Sequence, residues 1–195
     1  NLYEAKLCIN GEVIMQTSVS QGSCTFNLSE EEYMGINRNV RIEVSDASGN
    51  TAVSRLGDIL IEKEKAEVSY NVLSDDDELY KDDNGNIYSS ADMEIEIKIK
   101  DIGVSEDTKE ISGLESYEIY INDKYFKKIE VNSAEKKISD TYIINTSEHE
   151  KINGVFKVEV RNATDNAKNI GNNENCFMVY VDDKAPEIVY ENTIN

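Results

Sequence analysis

The chain has 195 residues, 39% of them hydrophobic and 30% charged, enough apolar content for small packed cores and too much for a disordered coil. Asp and Glu number 39 against 20 Lys and Arg, a formal net charge of -19, which argues against nucleic acid as a partner because phosphate binding needs clustered basic side chains. No apolar run approaches the ~20 residues that a membrane-spanning helix needs, so no membrane insertion is expected of this segment.

In chain order, residues 2–10 read as a strand closed by an Asn10-Gly11 turn. The cysteines Cys8, Cys24 and Cys176 are odd in number and lack metal spacing. Cys8 alternates with Lys6 and Asn10 and is expected to face outward, whereas Cys24 shares the apolar side with Phe26 and Leu28; opposed faces predict free thiols. Ser29 with Glu32 has the spacing of a capping box and predicts one helical turn between strands. Asp46 and Asn50 bracket a tight reversal in which Gly49 takes a left-handed conformation. Residues 62–66 then form a short charged joint flanked by few apolar groups, which predicts end-to-end modules with a small interface and limited, but not abolished, bending.

Beyond the joint, Val68, Tyr70 and Val72 alternate as a strand, followed by the acidic residues Asp75, Asp76, Asp77 and Glu78 and then Asp82-Asp83-Asn84-Gly85-Asn86. Asp82, Asn84 and Asn86 alternate as the first ligands of a calcium loop do and are the candidate calcium ligands. The sixth position of that loop is Ile87 rather than Gly and the twelfth is Met93 rather than Glu, so a solvated loop with a hairpin turn at Asn84-Gly85 is the competing reading. Met93, Ile95, Ile97 and Ile99 alternate perfectly with charges, the pattern of an antiparallel strand wet on one side. Further strands are predicted at Tyr117, Ile119 and Ile121, at 128–131, at 140–145, at Phe156, Val158 and Val160, and at 176–181, with turns at Asn122-Asp123 and Asn153-Gly154. Ser147 with Glu150 repeats the capping box, and the lone His149 inside it is expected to be exposed and structural. Seven short antiparallel strands with turn chemistry between them imply a β-sandwich with Ile97, Ile119, Ile121, Phe156, Val158 and Val179 in its core.

The chain also repeats itself. Residues 2–10 lie over 114–122, residues 44–50 over 160–166, and residues 61–70 over 181–190, so that Asp46 falls on Asn162 and Gly49 on Asp165. This phase predicts a partial module at 1–66 that lacks its first two strands, a complete module at 67–186 and the start of a third at 187–195. The missing strands are expected to lie upstream of the sequence, or else to be supplied by another polypeptide, because half a sandwich leaves an apolar face in water.

Three segments carry a family resemblance: Ser112-Gly113-Leu114 leading into a strand that ends at Asn122, the 46–50 turn, and Asp182-Asp183-Lys184-Ala185-Pro186. They resemble the turn, the penultimate-strand reversal and the "DxxAP" joint of tandem bacterial immunoglobulin-like repeat domains (Big-type). The resemblance implies an all-β fold of immunoglobulin-like β-sandwich modules in tandem, in a bacterial cell-surface or secreted protein. It implies a non-catalytic structural or spacer repeat, with neighbouring modules and a host or cell-wall protein or glycan as partners. The sequence has no HExxH, GxSxG or phosphate-loop motif, so no enzyme and no cofactor beyond calcium is expected. The alternative is a carbohydrate- or protein-binding accessory module of an extracellular enzyme, which would gather the outward residues Tyr120, Tyr125 and Tyr180 into one patch.

Overall fold

Alternation of period two becomes strand in nearly every segment of the computed structural model, which describes residues 2–73, 79–103, 111–131, 136–171, 175–182 and 184–188. The acidic run at 75–78 and the sequence beyond Ile188, including most of the expected third module, lie outside the described residues. Strands β1 (Leu2–Ile9), β2 (Glu12–Ser18), β3 (Gly35–Asp46) and β4 (Thr51–Ile61) form one antiparallel sheet in the order β2-β1-β3-β4. The remaining strands are β5 (Glu67–Val72), β6 (Leu79–Lys81), β7 (Ile87–Ser89), β8 (Glu94–Lys100), β9 (Leu114–Ile121), β10 (Lys124–Glu130), β11 (Ser139–Asn145), β12 (Val155–Asp165), β13 (Ile170–Gly171) and β14 (Phe177–Val181). They make two sheets, β11-β8-β5 and β10-β9-β12-β14-β7-β6, with β13 attached to β12.

The two later sheets face each other across one core. Ile95, Ile97 and Ile99 of β8 meet Tyr117 and Ile119 of β9, Phe156, Val158 and Val160 of β12 and Val179 of β14, all fully buried, with Ile121 nearly so. Burying each such side chain contributes about 1.5–3 kcal/mol before entropy is counted. Two facing antiparallel sheets of this strand order are an immunoglobulin-like β-sandwich. Among the described strands one pair departs from the antiparallel rule: β7 runs parallel to β14. The sequence places a hairpin turn at Asn84-Gly85 within a solvated loop but gives no sheet for it; the chain leaves β5 in the smaller sheet and returns, through the β6–β7 hairpin, along the edge of the larger one.

The first sheet follows the same plan as the larger sheet of the sandwich, β2-β1-β3-β4 matching β10-β9-β12-β14. Its apolar face holds a smaller cluster, Leu7, Ile9 and Val40, partly covered by Phe26, Leu28 and Tyr33 from the 19–34 connection. Residues 24–29 are not a regular strand, since among the described residues none pairs with them. Val53 and Leu56 of β4 stay more than half exposed.

Five local expectations are corrected by the structure. The repeat register at the reversal is three residues off: the counterpart of Asp46 is Asp165, not Asn162, and the left-handed Gly49 (φ 84°) corresponds to Lys168 (φ 73°). The slip arises because Asn162 (φ 51°) sits at a register shift in β12, where extra residues on one strand break the spacing that sequence alignment assumes. Cys8 keeps the parity of Lys6 yet is fully buried, at a register shift between β1 and β2 and opposite Arg41 of β3, which is bound to Glu43 at 2.8 Å; Cys24, expected on the apolar side, is exposed. All three cysteines are free thiols. The capping-box reading at Ser147 gives way to a 3-10 turn at Thr146–Glu148 whose cap is Asn145, its side-chain oxygen accepting from the Ser147 amide at 2.9 Å. His149, in turn, is half-buried between the Phe126 and Phe156 rings, 5.0 and 5.9 Å away, rather than exposed.

Candidate functional site

Two features of the surface and joint hold groups beyond what the core requires. The first grows from the five-residue reversal. Asp46–Asn50, Asp82–Asn86 and Asp165–Asn169 are one turn used three times: in each, the first Asp accepts from the backbone and side-chain amides of the closing Asn at 2.8–2.9 Å. The main chain closes identically, with the fourth residue donating to the Asp carbonyl and the Asp amide to the Asn carbonyl. Gly85 takes the left-handed position at φ 84°, as a three-residue hairpin loop with a glycine bulge requires.

That geometry places the candidate calcium ligands. Asp82, Asn84 and Asn86 are brought together as one hairpin loop between β6 and β7, with Asp82 at its hub: its oxygens accept from the Asn84 amide, from both Asn86 donors and, at 3.4 Å, from the Tyr88 hydroxyl. These donations, led by the Asn86 side chain, hold the Asp82 carboxyl below the usual carboxylate range.

Asp165 is different, because its turn faces the joint. Glu62, immediately after β4, Asp101, immediately after β8, and Asp165, the last residue of β12, bring one oxygen each within 4.8 Å of the others, and all three are buried. Each carboxylate is held by amides: Ser112 N donates to both Glu62 oxygens at 3.0 and 3.1 Å, Gly113 N to Asp101 Oδ2 at 2.7 Å, and Asn169 to Asp165. Among the described residues, Asp101 Oδ1 has no hydrogen-bond partner. Burial pushes the Asp101 carboxyl up to about 6, with the charges of Glu62 and Asp165 adding to the rise and the Gly113 and, more weakly, Ile102 amides pulling against it. Gly113 is itself required here: its φ is 91°, and a Cβ would stand 2.7 Å from the Lys136 side chain and 2.9 Å from the Lys137 carbonyl.

The joint is thereby docked on the sandwich. Asn169 Nδ2 donates to the Glu62 carbonyl at 3.2 Å, and a Cβ at Gly171 would lie 3.1 Å from the Ala66 carbonyl and 3.5 Å from the Lys65 side chain. Sequence reasoning named Glu62 as a joint residue and Asp165 as a turn residue but did not join them to Asp101. Its signal was available: a lone acid at the end of the perfect alternation of β8, in a position of core parity.

The second feature is aromatic. Cross-strand pairing runs Tyr125–Tyr120–Glu159 on one side of the larger sheet and Val155–Tyr180–Tyr88–Tyr80 on the other, and Val155 and Glu159 share a face of β12. The three tyrosines singled out in the sequence therefore lie on one outer face, in two groups. Tyr120 meets Tyr125 edge-on at 5.8 Å beneath Arg161 at 4.2 Å, and Tyr180 stacks on Tyr88 at 4.9 Å with Tyr80 beside it at 6.0 Å.

No protein-family profile matches the chain, and no curated protein matches it. Among solved structures it is similar to the fibronectin(III)-like modules of Clostridium thermocellum CbhA, at a TM-score of 0.41 and 10% identity over 97% of this chain and 84% of that one, a likeness too loose to bear on function. No described helix is long and apolar enough to cross a membrane.

Proposed function

We propose that this chain is a non-catalytic spacer of a bacterial cell-surface or secreted protein, built from successive immunoglobulin-like units at 1–66 and 67–186. The docked joint carries this reading: Glu62 and its carbonyl are bound by Ser112 and Asn169, so a load applied along the chain passes from β4 into the body of the sandwich instead of into a slack linker. The acidic surface, 39 acids against 20 bases, keeps neighbouring copies apart. Such a spacer forms the stalk that presents an adhesive or catalytic domain. Small-angle scattering of the whole chain tests it: an elongated particle with a long-tailed distance distribution supports the spacer, and a compact near-spherical one contradicts it.

A second reading has its own observation. The Tyr88–Tyr180 stack borders a groove of about 480 Å3 that also includes Asp92, Lys151 and Asn153, an arrangement suited to a sugar ring or an extended peptide. Binding to a glycan or cell-wall array that is lost in Tyr180→Ala would favour this accessory-module role.

A further inference from the structure

We propose that Glu62, Asp101 and Asp165 form a divalent-cation site, with calcium as its ion, at the point where the joint enters the sandwich. Three carboxylates from three separate strand ends converge with relative exposures of only 7%, 0% and 0%. Among the described residues, no Lys or Arg makes an ion pair with any of them. Buried like charges without a counter-charge are strongly unfavourable, and the usual remedies are a basic partner, a bound metal or protonation.

The second observation points to a ligand. Asp101 Oδ1 is a fully buried acceptor that has no hydrogen-bond partner among the described residues, in the carboxyl that the other two crowd. Buried polar atoms are otherwise satisfied, and an orphan of this kind calls for a bound group. The amides of Ser112, Gly113 and Asn169 hold the three carboxylates in place, so the cluster is preorganised, and each accepting oxygen keeps a further lone pair for a cation. An all-oxygen donor set with neither His nor Cys selects a hard ion. Calcium fits better than magnesium, since calcium accepts a buried cage of carboxylates and carbonyls while magnesium keeps most of its water. Two positive charges against three carboxylates would bring the cluster to a net of about -1. The ion would lock the joint to the sandwich, with ligands on both sides of it. The site stands whether or not the spacer reading holds.

The test uses the whole chain, stripped with chelator and titrated at neutral pH with calcium chloride and, separately, magnesium chloride, by calorimetry and thermal melting. Calcium should bind and raise the melting temperature by several degrees, with magnesium at least tenfold weaker. Asp101→Asn should abolish both effects while melting no lower than the stripped wild type, because it removes an uncompensated buried charge. Glu62→Gln, placed in the joint outside the core, should do the same and keeps the test decisive if Asp101→Asn fails to fold. Asp82→Asn is the control and should leave the calcium response intact. Absence of calcium binding by the wild type, an unchanged response in both Asp101→Asn and Glu62→Gln, or a response lost only in Asp82→Asn would each overturn the proposal.

Discussion

Tyr70→Phe isolates one bond between the two sheets of the sandwich. Among the described residues, pairing of β12 with β14 ends at Val158 and its pairing with β13 begins at Ala163, and the Val160 amide falls between the two. The Tyr70 hydroxyl, reaching across from β5, accepts from that amide at 3.0 Å and donates to the Asn175 carbonyl at 3.3 Å. Removing the hydroxyl keeps the ring, and with it the apolar contact to Phe177 at 6.2 Å between centroids, but strands an N–H at a fully buried residue. A buried donor left unsatisfied costs about 1–3 kcal/mol, whereas the Asn175 carbonyl can turn to water at little cost. The variant should therefore lose about 1–3 kcal/mol in urea unfolding, with an unchanged m-value, and melt roughly 4 °C lower per kcal/mol. A Tyr70→Phe protein within 0.5 kcal/mol of wild type would refute the reasoning, because the hydroxyl would then not be completing the ladder.

Ile97→Ala, at the centre of the core, should cost about 2–5 kcal/mol in the same assay. Gly171→Ala places a Cβ 3.1 Å from the Ala66 carbonyl and should displace the joint, lowering stability by about 1 kcal/mol and shifting the NMR signals of residues 62–66 more than those of β8. Asp92 is held below the usual carboxylate range first by Lys151 and then by the Thr146 hydroxyl, so its folded pKa lies under the unfolded value of about 3.9. Its contribution is present above that value and lost as pH falls through the folded pKa; Asp92→Asn should flatten the acid limb of the melting curve, by well under 1 kcal/mol since the side chain is 40% exposed. A thiol reagent should modify Cys24 first, Cys176 more slowly and Cys8 only on unfolding.

Strands and core were legible because alternation is a local signal: Met93 to Ile99 states its buried face in the sequence, and Ile97, Phe156 and Val179 lie in the core. Turns carrying Asn-Gly or Asn-Asp were legible for the same reason, as at Asn122 and Asp123, both at positive φ. What escaped depends on tertiary placement. The burial of Cys8 depends on the register shift of β1 against β2 and on its neighbours across the sheet, and the parallel β7–β14 pair on where a hairpin lands. The repeat slipped at Asn162 because an irregular strand changes length without changing its apolar pattern. The carboxylate cluster joins positions 62, 101 and 165, and only the fold makes them neighbours, whereas a calcium loop read from sequence needs its ligands in one run.

The account turns on the joint being part of the sandwich rather than a tether beside it. Amide hydrogen exchange at Ser112, followed by NMR on the whole chain, reads this directly, because that amide donates to both oxygens of Glu62 across the joint. Ser112 should be protected about a hundredfold or more over the unstructured rate and lose that protection in Glu62→Ala, while the core amides of β8 are unchanged. Exchange of Ser112 at the unprotected rate in the wild type would contradict it.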